Sequence, residues 1–176
     1  EARLFFKNKF NIIVMNPPFV DARKMDAETS EFLKKEYPKN ARNLFSAFIQ
    51  RAIELTVKKG VLGFISSDTF LSISSFSDIR KEILSKTISL ASLMGHGVFD
   101  GPTVSATVLV LKNCSGKNNT ITVHKVAQES INNKINIDIE IDYLSQEKLH
   151  IIKDCPFIFR VSDNFRRIFS NKSIGD

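Results

Sequence analysis

Ten residues, Phe10-Asn11-Ile12-Ile13-Val14-Met15-Asn16-Pro17-Pro18-Phe19, constrain this chain more than any others. Residues 12–15 are an uninterrupted apolar run, β-branched except for Met15, which predicts a short strand buried on both faces. Two consecutive prolines end it. Neither has an N–H to give a ladder, and each fixes φ near about −65°. The residue before each proline is driven to an extended conformation. A stiff loop therefore leaves the carboxyl end of a strand, with an amide, Asn16, at its root and an aromatic ring, Phe19, at its tip. In open α/β sheets that edge is where ligands bind.

The rest of the chain supplies a sheet for this loop to stand on. Residues 20–42 are charged; Phe32 and Leu33 nucleate a short helix that Pro38 ends. Asn43 reads as an N-cap. Leu44, Phe45, Phe48, Ile49, Ala52, Ile53 and Leu55 follow at helical spacing. Lys58-Lys59-Gly60 supplies a basic last turn and a glycine stop. Residues 61–65 form a second buried strand, so strand, helix and strand predict a right-handed parallel crossover. Ser66-Ser67-Asp68-Thr69 again puts polar groups at a strand end. A helix opening at Ser75, with Asp78 at the capping-box position, comes next. Strands are expected over 88–94 and 104–111, and a fifth, antiparallel one over 121–124. From about residue 127 isoleucines alternate with polar residues, as in Ile135-Asn136-Ile137-Asp138-Ile139-Glu140-Ile141, which predicts a half-exposed strand or an arm. Short helices are expected over 145–150 and 163–170.

Composition excludes several classes. The 176 residues suffice for one core, and the net charge of +6 hints at an anionic partner. No run of about 18 apolar residues and no signal peptide occurs, so a cytoplasmic protein with no membrane partner is expected. Cys114 and Cys155 form no ligand pattern and read as reduced thiols; His96, His124 and His150 are scattered, so no metal site is expected. The single G-x-G, Gly95-His96-Gly97, has Asp100 at the third glycine position, so a dinucleotide fingerprint is absent. The chain opens on Glu1-Ala2-Arg3 and reaches a core strand within ten residues, which predicts a piece of a longer protein.

The Asn-Pro-Pro-Phe loop has a chemistry of its own. An exocyclic amino group on an aromatic ring is a poor nucleophile, because its lone pair is delocalised into the ring. Two acceptors flanking that nitrogen would take its hydrogens and favour the tetrahedral form, freeing the lone pair. The Asn16 side-chain oxygen can be one acceptor and the Pro17 carbonyl the other, a preorganised arrangement that needs no strong base. Phe19 offers a stacking face worth about 1–3 kcal/mol per base.

Residues 14–19 resemble motif IV of amino-group methyltransferases that use S-adenosylmethionine, above all the DNA adenine-N6 methyltransferases of restriction–modification systems, of the type IIG kind. The resemblance continues in order over residues 10–113. Asn43-Leu44-Phe45 through Phe48 is similar to the helix whose aromatic borders the cofactor adenine, a role that falls on Phe48. Residues 60–71 resemble the next strand and polar turn. Val98-Phe99 with Val104-Ser105-Ala106-Thr107-Val108 resembles the late motif whose phenylalanine stacks on a flipped adenine, a role that falls on Phe99. Phe19 and Phe99 would then sandwich the extruded base and offset the few kcal/mol that flipping costs. Arg80 stands where the family often has an arginine, and no role is assigned to it. Two departures stand out. The family usually has tyrosine where Phe19 stands, and its glycine-rich cofactor loop lies upstream of anything in this chain.

The resemblance implies an α/β fold: a partial Rossmann-like methyltransferase sheet, parallel strands with an antiparallel hairpin at the edge, flanked by helices, plus a C-terminal extension. It implies the carboxyl half of a catalytic domain over 1–126 and a linker towards a target-recognition domain over 127–176. The expected activity is transfer of a methyl group from S-adenosylmethionine to N6 of adenine in DNA, in a restriction or phage-defence enzyme. The catalytic residues would be Asn16, Pro17 and Phe19. Asn16 and Phe48 would face the cofactor, and double-stranded DNA and the remainder of the parent polypeptide would be the partners. RNA guanine and protein-glutamine methyltransferases share Asn-Pro-Pro-aromatic, but the segment from Val98 to Thr107 argues against them. A non-catalytic DNA-binding module on the same fold is the alternative of another class.

Overall fold

A computed structural model describes residues 8–98, 105–127 and 138–168. Six strands form one mixed sheet in the order β1-β2-β4-β3-β5-β6. They are β1 (Phe10–Met15), β2 (Thr56–Ser67), β3 (Thr87–Gly95), β4 (Ala106–Lys112), β5 (Thr120–Val126) and β6 (Ile139–Ser145). Among the described residues the α-helices are α1 (Ala27–Glu36), α2 (Leu44–Leu55), the single turn α3 (Thr69–Ser72), α4 (Ser77–Leu84) and α5 (Asp163–Ile168). β1 and β2 are parallel and joined through α1 and α2, as strand-helix-strand patterning predicts. β4 is antiparallel to both of its neighbours, β2 and β3, which leaves β1, β2, β3 and β5 all pointing the same way. β5 is parallel to β3; its antiparallel partner is β6, and this pair is the hairpin at the sheet edge. The expectation for 121–124 thus identified the strand but not its inner neighbour.

Residue alternation sorts the sheet into two unlike faces. On the helix-covered face Leu62, Phe64, Ile88, Ala91, Leu109, Leu111, Ile121 and Val123 are all buried against Ile49, Ile53, Ile79 and Ile83 from α2 and α4. On the other face β1 is open: Ile12 is 68% and Val14 80% exposed. The strand predicted to be buried on both faces is therefore buried on neither completely. It lies at the sheet edge, and only Ile13 and Met15 lean on the core.

Two helix ends differ from the sequence expectation, each because of a distant partner. α2 stops at Leu55, before Lys58-Lys59-Gly60, because Thr56 turns extended and its Oγ1 donates to the Ala52 carbonyl at 2.7 Å. Residues 57–60 are instead drawn into the sheet by Asn113, which accepts from Lys59 N–H, donates to the Gly60 carbonyl and gives its side-chain amide to the Thr56 carbonyl at 2.7 Å. Gly60 is required there, since a Cβ would stand 2.8 Å from the Asn11 carbonyl oxygen of β1. The capping box at Ser75 does not form. A 3-10 turn over Ser74–Phe76 precedes α4, and buried Phe76 packs on Phe45 with ring centroids 5.2 Å apart.

Residues 138–168 are built into the same body. β6 completes the sheet, a 3-10 turn over Gln146–His150 follows, and Leu149, Phe157 and Phe159 are buried in the core. Gln146 fastens this return. Its Oε1 accepts from Ile88 N–H and Asn119 Nδ2, both at 2.9 Å, and its Nε2 donates to the carbonyls of Leu84 and Lys86. A buried amide with every valence used is stabilising, and removing a partner strands the others. Gly116 makes room for it: a Cβ there would lie 2.1 Å from Gln146 Nε2 and 2.4 Å from the Lys86 carbonyl oxygen. Gly116→Ala is expected to destabilise the fold by about 1–3 kcal/mol. Thermal melting checks this; an unchanged Tm would contradict the assigned packing.

Candidate active site

Because β1, β2, β3 and β5 share a direction, their carboxyl ends gather at one edge of the sheet. Asn16, Asp68 and His96 stand there, with Ser105 entering β4. Asn16 is exposed, and its side chain is committed to no hydrogen bond among the described residues. Pro17 behind it is buried. Phe19 is 39% exposed, and its inner side rests edge-on against Phe45 with centroids 6.1 Å apart and planes at 68°.

The loop is pinned to the start of α2. Leu44 N–H donates to the Val20 carbonyl and Ala22 N–H to the Arg42 carbonyl, both at 2.9 Å, flanking an isolated bridge between Asp21 and Asn43. Asn43 caps α2 by accepting from Phe45 N–H at 3.3 Å, as its position predicts. The Asp21 carboxylate accepts from the Arg23 side chain at 2.8 Å and from its N–H, and these bonds hold its pKa below the usual carboxylate range. The root of the loop, its tip and the helix carrying Phe45 and Phe48 therefore form one connected unit.

Phe48 is 46% exposed and lines an apolar groove of about 450 Å³ with Ile13 and Met15 of β1, Phe32 and Tyr37. Met15, the residue before Asn16, lines this groove with Phe48, and Phe19 packs on Phe45, one helical turn before Phe48. An exposed ring in an apolar slot next to an uncommitted amide fits a flat heteroaromatic group such as adenine. Phe32 and Tyr37 were not anticipated as part of this wall. Thr29, Phe32, Leu33 and Tyr37 recur at helical spacing inside the charged segment, and that is the signal that finds them. Phe99 lies outside the described residues; Val98 and Ser105, on either side of its connection, are at the same edge.

A second cavity of about 590 Å³ continues along the edge, lined by Asp68, His96, Ser105, Thr107 and Arg160 among others. Thr107 Oγ1 and the Oγ of its cross-strand neighbour Ser66 are buried without hydrogen-bond partners among the described residues. Arg80, given no role from sequence, is fully buried and structural. Cys114 and Cys155 are free thiols, no described group of His, Cys, Asp and Glu side chains has metal-ligand geometry, and no described helix is long and apolar enough to cross a membrane.

With this geometry in hand, comparison with known proteins is informative. The family model described as Eco57I restriction-modification methylase matches residues 2–99. The adenine-specific methyltransferase BrxX of Escherichia coli O9:H4 (strain HS) is 28% identical over 109 residues, 60% of this chain and 9% of that protein. Among solved structures, the type IIG restriction endonuclease BpuSI superposes with a TM-score of 0.63 at 16% identity, over 84% of this chain and 20% of that one. A Listeria monocytogenes protein assigned to the class I S-adenosylmethionine-dependent methyltransferases superposes with a TM-score of 0.51 at 16% identity, over 66% of this chain and 37% of that one. These likenesses show the fold, a mixed sheet with flanking helices. The chain spans about a tenth of the length of the curated relatives it matches.

Proposed function

This chain belongs to the Eco57I restriction-modification methylase family, and from that premise we propose that the protein containing it methylates N6 of adenine in double-stranded DNA. The observation that carries the reading is the loop that places exposed, uncommitted Asn16 between Met15 of the Phe48 groove and half-exposed Phe19. The naming of BrxX and of further relatives as adenine-specific methyltransferases supports the same choice.

S-adenosylmethionine, when bound, supplies an electrophilic methyl group. The residues of this chain bind and orient the groups that react. Phe48 walls the groove for the cofactor adenine. Asn16 Oδ1 accepts a hydrogen bond from one N–H of the target amino group and the Pro17 carbonyl accepts from the other, so the lone pair leaves the ring and points outward; as the nitrogen gains the methyl group, one of these protons is released to solvent. The proline pair fixes the Pro17 carbonyl and the backbone that carries Asn16 in advance, so little backbone reorganisation is needed at the moment of transfer. Phe19 stacks on the base from one side, and Phe99 takes the other face. The duplex runs along the strand ends, where Arg160 and the net charge of +6 favour phosphates. Residues 1–126 act as the carboxyl half of the catalytic domain, and 127–176, although packed on the same sheet over 138–168, lead on towards a target-recognition domain.

Assays of the intact protein with radiolabelled cofactor on duplex DNA, RNA and protein test the substrate class. Labelling of adenine in duplex DNA is expected; labelling confined to RNA or protein would overturn the proposal. A further consequence concerns affinity. The described groove offers apolar contacts but no glycine-rich loop, so residues 1–176 alone are expected to bind S-adenosylmethionine with a Kd weaker than about 1 mM. Calorimetry giving a micromolar Kd would contradict this division of the site.

A further inference from the structure

Five aromatic residues of this fold make an unbroken series of ring contacts, from which Phe76 branches at Phe45 and Phe64 at Phe70. Phe19 touches Phe45 at 6.1 Å between centroids, Phe45 touches Phe70 at 5.9 Å, Phe70 touches Phe157 at 6.3 Å, and Phe157 touches Phe159 at 6.1 Å. Only Phe19 is substantially exposed; the other four are buried. The line starts at the tip of the Asn-Pro-Pro-Phe loop and ends in the segment that leads to α5.

That far end is held firmly. Phe157 N–H donates to the Leu71 carbonyl at 2.6 Å. Arg80 grips the carbonyls of Phe70 and Ile73 on one side and those of Asp154 and Cys155 on the other. The turn that carries Phe70 and the segment that carries Phe157 are thus clamped together, and Phe70 is pressed between Phe157 and Phe45. Phe45 in turn supplies the inner wall for Phe19, whose backbone neighbours are tied to the start of α2.

We infer that Phe45 and Phe157 are positioning residues for Phe19, so that docking of residues 154–159 sets the angle at which the target base is stacked. This rests on the reading that Phe19 stacks on that base. Aromatic contacts are directional, and edge-on geometry survives only while each ring keeps its place. A leucine at position 157 keeps the core apolar but cannot present an edge to Phe70. The segment that leads away from the sheet would then report its docked state to the catalytic loop without touching substrate.

The test uses the intact enzyme and measures kcat and the KM for duplex DNA separately. Phe157→Leu and Phe45→Leu are each expected to lower kcat by about fivefold to tenfold while the KM for DNA stays within about twofold. In a Phe19→Leu background the Phe157→Leu change is expected to have almost no further effect on kcat, and Phe157→Tyr is expected to restore most of the rate. Unchanged kcat in both leucine variants, or losses that simply multiply in the double variant, would overturn the inference. Should Phe157→Leu fail to fold, Phe45→Leu with and without Phe19→Leu gives the same decision. Asn16→Ala separates the two levels. If it abolishes methylation while the phenylalanine losses multiply, only the positioning role fails; if it leaves methylation intact, both readings fall.

Discussion

Asn16→Ala in the intact enzyme is expected to slow methyl transfer by about a hundredfold to a thousandfold, the loss typical of deleting one preorganised polar contact to a reacting centre. The structure makes this variant unusually clean. Asn16 is exposed, sits beyond the last paired residue of β1, and makes no hydrogen bond among the described residues. Its removal therefore leaves no buried group unsatisfied, and stability is expected to change by no more than about 0.5 kcal/mol. The KM for DNA is expected to stay within a few-fold, because Phe19 and the phosphate contacts are untouched. Asn16→Asp keeps an acceptor oxygen in place and is expected to retain more activity than alanine. Single-turnover methylation with the melting temperature measured alongside decides the matter. A loss below about fivefold at unchanged stability would remove Asn16 from the chemistry. A large loss accompanied by a lowered Tm would assign it to the fold instead.

How much of this was legible in sequence depends on how far each feature's cause lies along the chain. The Asn-Pro-Pro-Phe loop, the Asn43 cap and the stripe of α2 arise from neighbours within a few residues, and all stand where the pattern puts them. The bond from Asn113 to the Thr56 carbonyl, which holds the end of α2 in the sheet, joins residues 57 apart, beyond any local signal. The place of β4 between β2 and β3 is likewise a property of pairing, not of composition. Ile12 and Val14 read as buried because β-branched apolar runs usually are; their 68% and 80% exposure follows from β1 being the edge of this sheet. Phe48 was legible as a candidate because the family resemblance singled it out; its ring is 46% exposed in an apolar groove. The long-range partners of Gln146 and Arg80 were not legible, since those links reach 58 to 75 residues along the chain.

Arg80 carries the second large effect. Its side chain is wholly buried and makes five N–H···O contacts to four backbone carbonyls: Nη1 to Phe70 and Ile73, both at 2.7 Å, Nε to Cys155 and Asp154, and Nη2 to Asp154 at 2.9 Å. No carboxylate pairs with it among the described residues. Burial lowers its pKa, yet a guanidinium starts so high that it stays charged in any ordinary buffer. The charge is solvated by carbonyl dipoles instead of water, which suits a planar fork with five donors and does not suit an ammonium. Arg80→Met would strip all four carbonyls of the guanidinium, leaving among the described residues only the Ile73 carbonyl with another donor, Phe76 N–H, and is expected to destabilise the docking of residues 154–159 by about 3–5 kcal/mol. Arg80→Lys, with three donors and a different reach, is expected to recover only part of this. The measurement is hydrogen exchange in the intact protein at Phe157, whose N–H is held by the Leu71 carbonyl. Protection there is expected to fall by at least about a hundredfold in Arg80→Met, a drop that added salt does not reproduce, because the contacts are to dipoles shielded from solvent and not to an exposed counter-charge. Protection that survives the methionine, or that collapses in salt with the arginine intact, would show that something other than this clamp holds the segment on the sheet.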